Sequence, residues 1–196
     1  MRELSLNVLD IAQNSVAANA ALCEIEVIES TRNKELFIGI YDNGKGMTEE
    51  QVKSVKDPFF TTRTTRKVGM GIPLFKMAAE MTGGSFDIES KVGVGTKVKA
   101  IFKTDHLDFT PLGDMCSSIV LLITMNTHMD FLYRYKIDEK EFTLDTRQLK
   151  EILDEQEVEW EDGHLIIRRT VARSGRSRSF VNDSPVSVQV LQSISS

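Results

Sequence analysis

The sequence predicts an α+β protein: a two-layer sandwich with helices on one face of a mixed sheet, and a small β-rich appendage at the C-terminal end. Three observations carry that reading. A 3.6-residue apolar period over 4–20 gives way to two alternating stretches, 22–28 and 35–41, that read as a hairpin. A second helix, about 72–81, leads into a second strand pair, 85–90 and 96–103. The 196 residues, 41% hydrophobic and 27% charged, suit a globular domain plus an appendage, or two small domains.

Each element has its own local cause. In the first helix Leu6, Leu9, Val16 and Ala17 recur near the helical period, and alanine dominates its end. In the first strand Cys23, Ile25 and Val27 alternate with Leu22, Glu24 and Glu26. The turn Thr31-Arg32-Asn33-Lys34 follows, then a strand rich in Ile and aromatics. Asp42-Asn43-Gly44-Lys45-Gly46 breaks that strand, and Thr48 with Gln51 fits a capping box opening a short helix. Residues 57–70 are polar and rich in Thr and Arg, and read as a mobile loop. The helix over 72–81 is stopped by Gly83-Gly84. The next two strands are joined by the tight turn Lys91-Val92-Gly93-Val94-Gly95. Beyond Pro111 the pattern predicts a helix over 113–125, a hairpin from 131–137 and 141–144, and a helix capped by Asp145-Thr146 and running to Leu153. An acidic run, 154–162, then precedes an Arg-rich strand pair.

The bulk properties exclude several roles. A net charge of -5 gives no general attraction to nucleic acid or anionic membrane. The longest apolar run, 119–125, is far shorter than the roughly 18 residues that span a bilayer. The first ten residues lack the apolar core of a signal peptide, so a cytoplasmic, membrane-free protein is expected. Cys23 and Cys116 lie far apart in apolar surroundings and read as two reduced, buried thiols. His106, His128 and His164 are scattered, without metal-ligand spacing.

Four segments carry candidate chemistry. Asp10 and Asn14 are four apart and share one helix face, either as a polar stripe or as a carboxylate and amide that hold a hydrated Mg²⁺. Asp42-Asn43-Gly44-Lys45-Gly46-Met47 ends a strand. It reads as a surface turn, or as a carboxylate beside glycines that let a ligand approach the backbone. Val68-Gly69-Met70-Gly71-Ile72 precedes a helix with Pro73 in its first turn, the pattern of an anion site made of backbone N–H groups. Gly93-Val94-Gly95-Thr96 alone means a hairpin.

In order and spacing, these segments together resemble the ATP-binding domains shared by sensor histidine kinases, type II topoisomerases, Hsp90 chaperones and MutL proteins, the GHKL group with its Bergerat-type fold. Asp10-x-x-x-Asn14 resembles the N box, and Asp42-x-Gly44-x-Gly46 the G1 box. Pro58-Phe59-Phe60-Thr61-Thr62-Arg63 resembles the F box of histidine kinases, Gly69-Met70-Gly71 the G2 box, and Gly95-Thr96 the last nucleotide-contacting turn.

The resemblance implies ATP and Mg²⁺ as cofactors. Asn14 would bind Mg²⁺ bridging the phosphates; Asp42, with help from Thr96, would accept the adenine amino group. Gly44 and Gly46, followed by Met47, would leave room beside base and ribose. Gly69, Met70 and Gly71 would present N–H groups to phosphate, and 57–70, with Thr62 and Arg63, would form a lid. Hydrolysing members carry Glu where this chain has Asp10, so Asp10 is a shorter candidate base. A phosphoacceptor histidine, if the chain is a kinase, is expected on another protein. Lys45 and Arg66 read as solvated charges or as phosphate contacts.

The expected organisation is an ATP-binding domain over 1–105, a helix–hairpin extension packed on it over 106–153, and an Arg-rich β fragment over 154–196. The extension resembles that of small stand-alone ATP-binding proteins of anaerobic bacteria, which implies a regulatory or maturation protein partner; His106 in it reads as structural. The tail, from Leu165-Ile166-Ile167-Arg168-Arg169 to Pro185-Val186, resembles part of the head domain of the DNA-repair ATPase RecN, with that family's phosphate loop missing. The sequence therefore implies an Mg²⁺-ATP-binding regulatory protein, with phosphotransfer or slow hydrolysis. The alternatives are a nucleotide sensor without turnover and a DNA-binding repair fragment acting through its arginines.

Overall fold

Alternation along the strands and helical periods between them build two layers in the computed structural model, which describes residues 3–56, 71–155, 167–171, 177–181 and 184–186. Five helices are described: α1 (Leu4–Ala17), α2 (Glu49–Lys56), α3 (Gly71–Met81), α4 (Met115–Met125) and α5 (Thr146–Glu155). Six strands form the main sheet: β1 (Leu22–Ser30), β2 (Glu35–Asp42), β3 (Ser85–Lys91), β4 (Gly95–Lys103), β5 (Asp130–Ile137) and β6 (Lys140–Asp145). Their order is β3-β4-β2-β1-β5-β6. Every neighbouring pair is antiparallel except β1 and β5, which run parallel and make the sheet mixed.

The register lines up the apolar positions. Ile88, Val98, Ile40, Ile25 and Tyr133 are successive cross-strand partners, one row across five strands. Because side chains alternate faces, this row and its neighbours Val27, Ile38 and Ala100 are buried, while Glu24, Glu26, Lys97 and Lys99 occupy the other face. The core receives Leu4, Val8, Ile11 and Ala12 from α1 and Ile72, Phe75 and Ala79 from α3. Phe75 sits edge-on to Phe86, centroids 6.4 Å apart, and tilted against Phe102 at 5.3 Å.

Residues 106–153 are tied to both ends of α1. Leu4 and Ser5 N–H donate to the Pro111 and Leu112 carbonyls at 2.9 and 2.8 Å, satisfying helix donors that Glu3 leaves without a side-chain cap. At the other end Asp130 N–H donates to the Ala21 carbonyl at 2.9 Å and starts β5 alongside β1. The capping box opening α2 forms in both directions: Thr48 N–H donates to Gln51 Oε1 at 2.8 Å and Gln51 N–H to Thr48 Oγ1 at 3.3 Å. Gly83, at φ +73, ends α3.

One expectation is corrected. Cys23 is fully buried, but Cys116 is exposed. The core-facing residues of α4 are Met115, Ser118, Ile119 and Leu122, a helical stripe that leaves position 116 on the opposite side. His106 lies in an exposed turn, where its Nδ1 accepts the Asp108 N–H at 3.1 Å. The tail holds a separate three-stranded sheet of β7 (Ile167–Val171), β8 (Ser177–Val181) and β9 (Ser184–Val186), all antiparallel neighbours. Among the described residues no helix is long and apolar enough to cross a membrane.

Candidate nucleotide site

At one end of the sheet the buried row turns polar. Ser90, Thr96, Asp42 and Cys23 are successive cross-strand partners on β3, β4, β2 and β1, one step beyond the row containing Ile40 and Val98. The period of two that buries Ile40 also turns Asp42 toward the helix layer. Above this row is a cavity of about 180 Å³. Ile11, Ile40, Val55, Ile72 and Val98 form its apolar walls; Asn14, Ser15, Asp42, Lys45 and Thr96 are polar residues along it.

Asp42 is held by its own chain. Ser15 Oγ donates to Oδ2 at 3.0 Å, and Gly44 N–H donates to Oδ1 at 2.9 Å. Both contacts are donors to a carboxylate, and its remaining lone pairs stay available. Ser15, 2% exposed, is a site residue that the sequence reading missed. Its signal was present: Ser15 continues the helical spacing of Val8, Ile11 and Ala12, the positions that face the core. Cys23 lies beside the pair, where burial pushes its thiol up to about 12; a hydrogen bond with Ser15 opposes the shift and the Asp42 charge adds to it.

The loop after Asp42 is fixed on both sides. Asn43 Oδ1 accepts the N–H groups of Ala21 and Leu22 at 2.8 and 2.9 Å. Lys45 N–H donates to the Ala18 carbonyl at 3.0 Å, and Gly93 N–H donates to the Lys45 carbonyl at 2.8 Å. Gly44 and Gly46 answer to this packing. A Cβ on Gly44 would stand 2.7 Å from Ala18 Cβ. Gly46 has φ +66 and would drive a Cβ into the Lys91 carbonyl. Met47, next in the loop, lines the cavity, and its N–H donates to Ser90 Oγ at 2.9 Å.

Asn14, Asp42, Gly46, Met47 and Thr96 therefore line one cavity, and Gly44, outside the lining, donates its N–H to Asp42. Asp10 is half-buried outside the lining, and a Cβ on Gly71 would lie 3.0 Å from the Asp10 Cβ, so the start of α3 rests against the helix that carries Asn14. Thr62, Arg63, Arg66, Gly69 and Met70 lie outside the described residues. Lys45, read first as a solvated charge and otherwise as a phosphate contact, is exposed at the cavity wall. Among the described residues no group of three or more His, Cys, Asp or Glu is placed to hold a metal ion.

The sequence profile of the "Histidine kinase-, DNA gyrase B-, and HSP90-like ATPase" family matches residues 1–106, more than half of the chain. The chain belongs to this ATPase family. Among curated relatives, this family member is 28% identical over 94 residues to the sensor histidine kinase YvrG of Bacillus subtilis, and 30% identical over 91 residues to sporulation kinase D of the same organism. Each match covers 46% of the chain but only 16% and 18% of those kinases, so the chain spans less than a fifth of their length. Among solved structures, the ADP-complexed ATPase domain of Aquifex aeolicus MutL matches with a TM-score of 0.50, 16% identity, and coverage of 98% of this chain and 86% of that one. The N-terminal domain of a DNA repair protein matches with a TM-score of 0.53 and 14% identity, covering 96% of this chain and 76% of that one. At these identities the two structures show a shared fold, the α+β arrangement of this ATPase family.

Proposed function

We propose that the chain binds Mg²⁺-ATP in the cavity between α1, α3 and the Asp42 end of the sheet, and uses it in a regulatory step: phosphotransfer to a separate protein, or slow hydrolysis. One observation carries this reading. A carboxylate held by two internal donors and an amide on the neighbouring helix line the same apolar-walled cavity. Such a cavity suits a flat heteroaromatic ring with an N–H group for Asp42. Asn14, exposed at the wall, offers an amide oxygen to Mg²⁺, which also takes waters and phosphate oxygens, so no carboxylate cluster is needed. Bound Mg²⁺ would neutralise phosphate charge. Gly69, Met70 and Gly71 would bind phosphate at the start of α3, with Thr62 and Arg63 covering it, and Lys45 adds positive charge at the wall. The division into an ATP-binding domain over 1–105, an extension over 106–153 and a tail over 154–196 is part of the same proposal.

Thermal unfolding with and without Mg²⁺-ATP, on wild type and Asp42→Ala, tests this. Ligand at about 100 times its Kd should stabilise the wild type by about 2.7 kcal/mol and leave the variant unmoved. A wild type that does not respond to millimolar ATP overturns the proposal.

Nucleotide sensing without turnover is favoured by the position of Asp10, the candidate base, outside the cavity lining and against Gly71. ATP-dependent stabilisation with no phosphate release and no phosphotransfer would select it. The arginines on β7 and β8 raise a separate reading, contact with DNA. It requires strongly salt-dependent DNA binding that persists in Asp42→Ala.

A further inference from the structure

We infer that Ser90 is a specificity-determining positioning residue: by consuming the hydroxyl proton of Thr96, it makes the base-facing end of the cavity a pure hydrogen-bond acceptor. The inference rests on the nucleotide reading of the cavity and adds a residue that neither the motifs nor the cavity walls include.

Ser90 Oγ has three partners. Met47 N–H, at 2.9 Å, can only donate to it. The Gly95 carbonyl, at 2.9 Å, can only accept from it. Thr96 Oγ1, also at 2.9 Å, can in principle do either. A serine hydroxyl has one proton and two lone pairs. The assignment that satisfies all three contacts sends the Ser90 proton to Gly95 and requires Thr96 to donate to Ser90. The Thr96 hydroxyl then faces the cavity with lone pairs alone.

Its partner across the sheet is in the same condition. Thr96 sits opposite Asp42, and Asp42 is an acceptor already supplied by Ser15 and Gly44. Facing side chains in an antiparallel pair stand about 4.5–5.5 Å apart. The cavity thus presents two acceptors side by side, Asp42 and Thr96. An exocyclic amine on a purine supplies hydrogens to that edge. A 6-oxopurine brings a single ring N–H in place of the amine's two hydrogens, so it can satisfy one acceptor while its carbonyl is left against the other, and a buried polar group left without a partner is costly. Ser90, outside the cavity lining, selects amino- over oxo-purine through Thr96.

Binding of ATP and of ITP, each with Mg²⁺, is to be measured by calorimetry on wild type, Ser90→Ala and Ser90→Thr. The wild type should prefer ATP. Ser90→Ala returns the proton to Thr96, which can then donate to a ligand carbonyl, so the ATP-over-ITP preference should narrow about threefold to tenfold, mainly through tighter ITP binding. Ser90→Thr keeps a hydroxyl and should keep the preference. Should Ser90→Ala fail to fold, Thr96→Val removes one of the two acceptors and should narrow the preference by itself. A role limited to bracing the Met47 loop would weaken both nucleotides equally. An unchanged ATP-to-ITP ratio in Ser90→Ala, or no preference in the wild type, overturns the inference while leaving ATP binding intact. No binding of either nucleotide by the wild type overturns the nucleotide reading, and this one with it.

Discussion

Asp42 and Thr96 face each other across β2 and β4, and the Ser15 hydroxyl reaches Asp42 from the helix layer at 3.0 Å. A carboxylate that is already fixed before ligand arrives loses little freedom on binding, so its bond to a ligand N–H should be strong. Asp42→Asn keeps the shape and removes the charge. It should weaken ATP about 10- to 100-fold, the equivalent of the roughly 1.5–3 kcal/mol of a charge-assisted hydrogen bond. Calorimetric titration checks this, with circular dichroism showing that the sheet is retained.

Ser15→Ala separates the support from the recognition group. It leaves Asp42 Oδ2 without its internal donor and introduces a good helix former into α1. ATP affinity should drop about fivefold, corresponding to one hydrogen bond of about 1 kcal/mol, with little change in Tm. A large loss of Tm with unchanged affinity would make Ser15 a packing residue only.

Gly46 and Gly93 both have positive φ, +66 and +76, but their surroundings differ. A Cβ on Gly93 meets nothing within 4 Å, whereas one on Gly46 meets the Lys91 carbonyl. Gly93→Ala should therefore cost about 1–2 kcal/mol, the left-handed backbone term, and Gly46→Ala should cost distinctly more. Urea unfolding of the two variants gives the comparison.

The two cysteines should react very differently. Cys116 is exposed, and Cys23 is buried with its thiol pushed up to about 12 from 9.0. A thiol reagent at pH 8 should label one cysteine quickly and the second only after denaturation. The sign of the pH effect follows: below pH 9 both folded and unfolded Cys23 are protonated, and as pH rises from about 9 toward 12 the unfolded thiol ionises first. Cys23 therefore lowers stability progressively across that range, and Cys23→Ala should flatten the alkaline decline.

Asp114 caps α4. Its Oδ1 accepts the Ser117 N–H at 2.9 Å and its Oδ2 the Ser117 hydroxyl at 2.6 Å, which hold the carboxyl below its ordinary 3.8. A lowered folded value means stability that is present above 3.8 and lost as pH falls through the folded value. Asp114→Ala should be less stable than wild type near neutral pH, and the gap should close as the carboxyl protonates in acid. Denaturant unfolding across that range checks the trend.

Much of the arrangement is legible in the chain itself. Alternation at Cys23, Ile25 and Val27, the capping box of Thr48 and Gln51, and the glycines after Met81 and around Val94 are local signals. They set which residues form strands and helices, because backbone periodicity and turn conformations depend on neighbours in sequence. The order of Asn14, Asp42 and Thr96 is likewise visible as a motif series. Which residues meet is a different matter. Pairing β5 parallel to β1, placing Ser90 opposite Thr96 and Thr96 opposite Asp42, aiming Ser15 at Asp42, and turning Cys116 outward all depend on register and on helix rotation. Those are settled by burial summed over distant segments, and a shift of one residue in any strand would have reversed its faces while leaving every local signal unchanged.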